Sequence, residues 1–109
     1  MQRSHLILVD DREKTPLPFP AHLVVRTGPC PWHPGSATIS LSTSGRRLPT
    51  GDYVLASHPF AGCVERKAHL SELANNLFDE KRYRLFADEM DRLRSTFTHP
   101  LLLVEGSPT

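Results

Sequence analysis

GDYVLASHPFAGCVERK, residues Gly51 to Lys67, reads as two strands, Gly51 to Ser57 and Gly62 to Lys67, folded back on each other. Pro59 suits the second position of a type I turn that starts at His58. With His58 to Ala61 as the turn, Ser57 faces Gly62, Val54 faces Glu65 and Asp52 faces Lys67. Side chains alternate across a strand, so Asp52, Glu65 and Lys67 share one face, while Val64 and Arg66 point to the other. Two carboxylates and an ammonium on one patch make a costly surface unless a cation joins them. The plainer alternative is an exposed hairpin with a cross-strand salt bridge worth at most about 1 kcal/mol.

Upstream of the hairpin, His5-Leu-Ile-Leu-Val-Asp10 is a short run of branched apolar residues that ends in acid, the pattern of a buried strand. Pro16, Pro18 and Pro20 exclude a regular helix after it. His22 to Thr27 has the composition of a second strand. Gly28 to Gly35 holds Pro29, Pro31 and Pro34 and reads as an irregular loop. Ser36 to Leu41 alternates small polar with apolar residues, as a half-exposed strand does. Arg46 and Arg47 are then expected in a loop closed by Pro49 and Gly51.

Downstream, the period changes. Leu70, Leu73, Ala74, Leu77 and Phe78 fall at helical spacing, and so do Tyr83, Phe86, Met90, Leu93 and Phe97. Asp79 suits the N-cap of the second helix, with Glu80 favourable in its first turn. Pro100 is expected to stop that helix, and Leu101 to Val104 reads as a final buried strand. Strands, two helices and a strand predict an α/β fold: a mixed β-sheet flanked by helices. One domain spans 1–109, with a proline-rich loop at about 14–36.

The length of 109 residues allows one modest core and not two. Hydrophobic residues at 39% and charged residues at 23% are ordinary globular values. The formal net charge of +1 is small for a domain that holds DNA by charge alone. A nucleic-acid function therefore needs clustered local charge, a bound cation or a partner. Cys30 and Cys63 are too few for a disulfide framework. His33 lies three residues after Cys30, but no second pair completes the four ligands of a structural zinc. No stretch approaches the roughly 18 apolar residues of a membrane span, and Leu6 to Val9 is too short for a signal peptide. These features predict an intracellular, soluble protein. The six histidines are scattered without paired spacing and receive no ligand role.

Phosphodiester hydrolysis needs the parts found on the hairpin. Asp and Glu oxygens suit a hard cation such as Mg2+ or Mn2+. A neighbouring lysine can orient or deprotonate water, or stabilise charge that develops on phosphorus. Asp10, at the end of the first strand, and Glu13, three residues later, add two acids where open α/β sheets gather their active sites. The run Ile7 to Asp11 is also similar to the acidic strand end of a receiver domain. That alternative requires a helix directly after the acids, where this chain has three prolines, and Asp52 opens a strand rather than preceding a helix.

VDDRE (Val9 to Glu13), LPTGDY (Leu48 to Tyr53), VERK (Val64 to Lys67) and LLLVEG (Leu101 to Gly106), in that order, resemble the nuclease domain of the XPF family of structure-specific endonucleases. That family belongs to the PD-(D/E)xK, restriction-endonuclease-like group. The compact form is most similar to free-standing versions from phages and prophages. The resemblance implies a metal-dependent DNA endonuclease with Mg2+ or Mn2+, acting in DNA repair or recombination at branched, flapped or otherwise non-canonical DNA. It places Asp10, Glu13, Asp52, Glu65, Arg66 and Lys67 in the catalytic set. Asp52, Glu65 and Asp10 are the implied metal ligands, Lys67 activates water, and Arg66 is structural or meets a phosphate at the site edge. Glu13 stands behind the ligands.

The family commonly continues ERK-x-x-x-Asp, where this chain has Ser71 with Glu72 beside it, and the tandem helix-hairpin-helix module is absent from the sequence. Arg46, Arg47, Arg82 and Arg84 are candidate DNA contacts. The same arginines on the second helix also fit a merely solvated face. Trp32 can stack on a base or fill a gap under its loop. DNA is the implied partner, with a homodimer or a partner protein to supply affinity, and with no membrane. The implied location is the cytoplasm, at the nucleoid for a bacterial or phage gene and in the nucleus for a eukaryotic one. The alternative of another class is a catalytically silent nuclease-fold module that binds DNA or docks a protein.

Overall fold

The computed structural model describes residues 2–26, 28 and 35–106. Branched residues make β1 (Gln2–Asp10) an inner strand of the sheet, and the other elements follow as β2 (His22–Arg26), β3 (Ser36–Arg46), β4 (Tyr53–Leu55) and β5 (Gly62–Lys67). Helices α1 (Leu70–Phe78) and α2 (Glu80–Thr96) precede the last strand, β6 (His99–Val104). The strand order is β2-β3-β1-β4-β5-β6. β1 with β3 and β5 with β6 run parallel, and the other neighbours are antiparallel. The result is the expected mixed-sheet α/β domain of restriction-endonuclease-like type.

Alternation along β1, β4 and β5 produces two apolar clusters. One gathers Leu48, Val54 and Cys63 with Leu93 and Phe97, flanked by Leu8 and Met90 of α2. The other joins Ile7, Val9 and Tyr53 to Leu17, Phe19, Leu41 and Val64. Leu17 and Phe19 come from the proline-rich segment, and the Phe19 ring meets Tyr53 edge-on at 5.5 Å. An extended segment can cover a sheet this way because each proline removes a backbone donor that burial would leave unpaired. The Asp79 carboxylate caps α2 as expected, accepting from the Arg82 amide at 3.0 Å.

Several expectations are corrected. β3 continues five residues past Leu41, because its parallel register with β1 holds from Gln2 opposite Thr38 to Asp10 opposite Arg46. Arg46 therefore ends a strand and does not lie in a loop. β4 is only three residues long, and Val54 stands opposite Cys63 rather than Glu65. The turn from His58 to Ala61 does form, closed by Ala61 N–H to His58 C=O at 3.1 Å. A second turn precedes it, closed by His58 N–H to Leu55 C=O at 3.2 Å, and this tightens the register by two residues. A shift of two leaves every side chain on its expected face. β6 is an edge strand of the sheet, so Leu101 is 58% exposed and the strand is not buried. Pro100 lies within it, as an edge strand tolerates, and α2 has already ended at Thr96. The loop expected from Gly28 to Gly35, with Cys30, Trp32 and His33, lies outside the described residues except for its two glycines, as does Thr27.

Candidate active site

Gly51 opens the site. Its φ of +84° is in the left-handed region that favours glycine. The turn delivers Asp52 between two strands: Asp52 N–H donates to Val64 C=O at 3.0 Å, and Asp52 C=O accepts from Asp10 N–H at 2.8 Å. The Asp52 carboxylate accepts from the Arg66 amide at 2.7 Å. Glu65 and Lys67 are buried on alternate positions of β5, with Cys63 on the same face.

The acids crowd one another. Burial pushes the Asp52 carboxyl up, and the charges of Glu13 and Asp10 add to this against hydrogen bonds from the Arg66 amide and Glu65. Glu65 is pushed up to about 9, first by burial, then by a hydrogen bond with Glu89 and the charges of Asp52 and Glu89. Lys67 opposes that shift from 3.7 Å. Its ammonium also lies 3.5 Å from Glu89 Oε1 and 5.7 Å from the centre of the Phe86 ring. Burial, with the charges of Glu65 and Asp52, pushes the Cys63 thiol up to about 12, which makes it a packing group rather than a nucleophile.

A cleft of about 310 Å³ runs past Asp10, Glu13, Asp52, Glu65 and Glu89, with Arg12 and Arg92 on its walls. Asp10 is 4% exposed, and both of its oxygens accept hydrogen bonds. Its Oδ2 accepts from Arg12 Nε at 2.8 Å, and its Oδ1 accepts from the other Arg12 nitrogen at 3.1 Å and from the Leu48 amide at 3.0 Å. Burial alone would raise this carboxyl, but the hydrogen bonds from Arg12 and Leu48 outweigh it and hold the pKa below the ordinary value. Arg12 closes the clamp by donating to Leu48 C=O at 2.8 Å.

Glu13 accepts from the Tyr53 hydroxyl at 2.9 Å and from Arg66 at 3.1 Å. Arg66 lies on the sheet face opposite Glu65 and Lys67, where it also donates to Glu105 and to Thr15 C=O. Of the expected site residues, Asp10, Glu13, Asp52 and Glu65 therefore share one cleft, Lys67 touches it through Glu65, and Arg66 braces it from behind. Arg47 is paired to Asp11 at 2.7 Å. Arg82 and Arg84 sit in the first turns of α2, about 10 Å along the axis from the cleft residues at 1.5 Å per residue. Arg84 pairs with Glu80 at 2.8 Å.

Glu89 and Arg12 were not among the expected site residues. Glu89 left a signal in the sequence, since it falls three residues after Phe86 and four before Leu93, on the apolar stripe of α2. Arg12 left none, because its partnership with Leu48 spans 36 residues.

Among the described residues, no three His, Cys, Asp or Glu side chains converge as a closed metal shell. The donors still fit a hard cation. Magnesium usually takes one or two carboxylates and fills its shell with water and phosphate oxygens. Asp52 and Glu65 are such a pair, and the crowding that raises both is what a cation relieves.

Among the described residues no helix is long and apolar enough to cross a membrane. Comparison with curated proteins and with solved structures returns no match. The family profile described as the ERCC4 domain matches residues 9–109, which takes in the whole cleft from Asp10 to Arg92. Nucleases of that family are generally dependent on divalent metals. With all but eight of its 109 residues inside the match, the chain belongs to the ERCC4 domain family, whose function is nuclease-type processing of DNA.

Proposed function

We propose that this chain is a divalent-metal-dependent DNA endonuclease in which Asp52 and Glu65 hold the metal and Lys67 acts on the attacking water. The observation that carries the reading is the placement of those two carboxylates in one cleft, with a buried ammonium 3.7 Å from Glu65. Magnesium or manganese bound there would neutralise the phosphate, polarise it and acidify water. Lys67 orients that water for in-line attack on phosphorus and stabilises the charge that develops as the 3′ oxygen leaves.

The remaining residues hold this arrangement. Asp10, with its oxygens already committed, and Arg12 fix the Leu48 to Asp52 loop. Glu13, Arg66 and Glu105 tie the end of β5 to the segment after β1 and to the residue after β6. Arg12 and Arg92 on the cleft walls, with Arg46, Arg47, Arg82 and Arg84 beyond them, meet DNA phosphates and offset the low net charge. Branched and flapped duplexes are the substrates of choice.

The test is cleavage of plasmid and of branched or flapped DNA with added Mn2+, comparing wild type with Asp52→Asn and Lys67→Ala. Divalent-dependent cutting is expected to disappear in Asp52→Asn and to fall to a small measurable residue in Lys67→Ala. Binding without cutting in the wild type would replace this reading with that of a silent DNA-binding module.

A further inference from the structure

Glu89 is the one cleft acid carried by a helix. Its neighbours on the stripe, Phe86, Met90 and Leu93, pack toward the sheet, so its side chain is only 26% exposed. A carboxylate there is unfavourable unless it has partners. It has Lys67 at 3.5 Å, and it shares the cleft with Glu65. One turn earlier on the same helix, Phe86 offers its ring to the same ammonium, with Lys67 Nζ 5.7 Å from the ring centre. Helix α2 thus presents a seat of two parts, a ring and a carboxylate at i and i+3, for a lysine that arrives from β5.

Glu65 faces two demands, one from Lys67 and one from the cation proposed above. Glu89 lines the same cleft from a different element and reaches Lys67 independently of Glu65. We propose that Glu89 is the positioning residue of Lys67: with Phe86 it holds the ammonium at the cleft when Glu65 turns to the metal. The inference rests on the nuclease reading for its catalytic consequence and on geometry alone for the seat itself.

The seat is tested without activity by NMR of the full chain labelled on its three lysines, Lys14, Lys67 and Lys81. Seated over Phe86, the Lys67 ε-methylene protons are shifted upfield by the ring. Glu89→Ala is expected to move them to the position shared by the exposed lysines, and Glu89→Gln, whose amide oxygen still accepts from Nζ, to keep most of the shift. Binding of Mn2+ alone, by calorimetry, should change less than about 3-fold in Glu89→Ala. Single-turnover cleavage of flapped DNA should slow about 10- to 100-fold, the usual loss for a residue that orients another. Glu89→Gln should recover part of that rate, and Glu89→Ala should add no further loss to Lys67→Ala.

An unmoved Lys67 resonance, equal slowing by Glu89→Ala with and without Lys67, or a Mn2+ affinity lowered about 10-fold or more would each overturn the proposal. The last would make Glu89 a ligand instead. A wild-type chain that does not cut would sink the nuclease reading, while the lysine resonance would still decide the seat.

Discussion

Gly51 lies so close against Cys63 that a methyl group on its α-carbon would stand 2.2 Å from the sulfur. The backbone at Gly51 is also left-handed, with φ at +84°. Both constraints act on the residue that delivers Asp52 to Glu65, so the glycine of the GD pair is a packing requirement as much as a turn requirement.

Gly51→Ala is therefore expected to lose about 2–4 kcal/mol, from overpacking and from the left-handed backbone together. In a Cys63→Ala background the same change should lose only about 1–2 kcal/mol, the backbone part. Urea melts of the four proteins measure this. Equal losses in both backgrounds would mean that the sulfur contact is unimportant.

The crowded acid Glu65 predicts a pH effect on stability in the presence of a chelator. Its folded pKa is raised by burial and by Glu89 and Asp52, from the ordinary 4.5 to about 9. Between those values the folded chain holds a proton that the unfolded chain releases, so stability falls as pH rises through the window. Glu65→Gln should flatten that decline and make the chain more stable than wild type at pH 8. Parallel stability profiles for the two proteins would refute the assignment.

Asp10 and Asp52 should separate in their effects. Asp10→Asn weakens charge-assisted hydrogen bonds from Arg12 and leaves the Leu48 amide less well held. A loss of about 1.5–3 kcal/mol follows, read as a Tm lower by roughly 5–15 °C. Asp52→Asn keeps an oxygen for the Arg66 amide and removes a repulsive charge, so its Tm should hold or rise. Asp52→Asn should abolish cleavage, and Asp10→Asn should slow it by loosening the loop that carries Asp52. A thermally neutral Asp10→Asn would show that the clamp does not support the fold.

Arg66 should matter to acid stability. Its hydrogen bond holds the Glu105 carboxyl below the ordinary 4.5, against partial burial. Because the folded pKa is depressed, this contribution is complete above that ordinary value and is lost as pH falls through the folded one. Arg66→Gln is expected to lose about 2 kcal/mol at pH 7 through its broken charged hydrogen bonds. The gap from wild type should narrow as pH drops from 5 to about 3. Denaturant melts across that range check it, and a gap that widens toward acid would contradict the assignment.

Much of the site was legible because strand parity is local. The face shared by Asp52, Glu65 and Lys67 followed from alternation, and it survived a register two residues tighter than expected. Asp79 as a cap and the stripe from Phe86 to Phe97 were equally local signals. Arg46 was misplaced because the length of β3 depends on β1, more than thirty residues away. The exposure of Leu101 was hidden for a related reason: an apolar run reads the same in a central strand and at an edge.

Which residues alternate, which form turns and which lie on one helical face is written in short stretches of chain, since backbone geometry repeats every two residues in a strand and every 3.6 in a helix. Who meets whom across the cleft is not. The Asp10 clamp on Leu48 spans 38 residues and the approach of Glu89 to Lys67 spans 22. Such pairings arise only when the strand order and the seating of α2 close the fold, because burial and charge act through space and carry no local period.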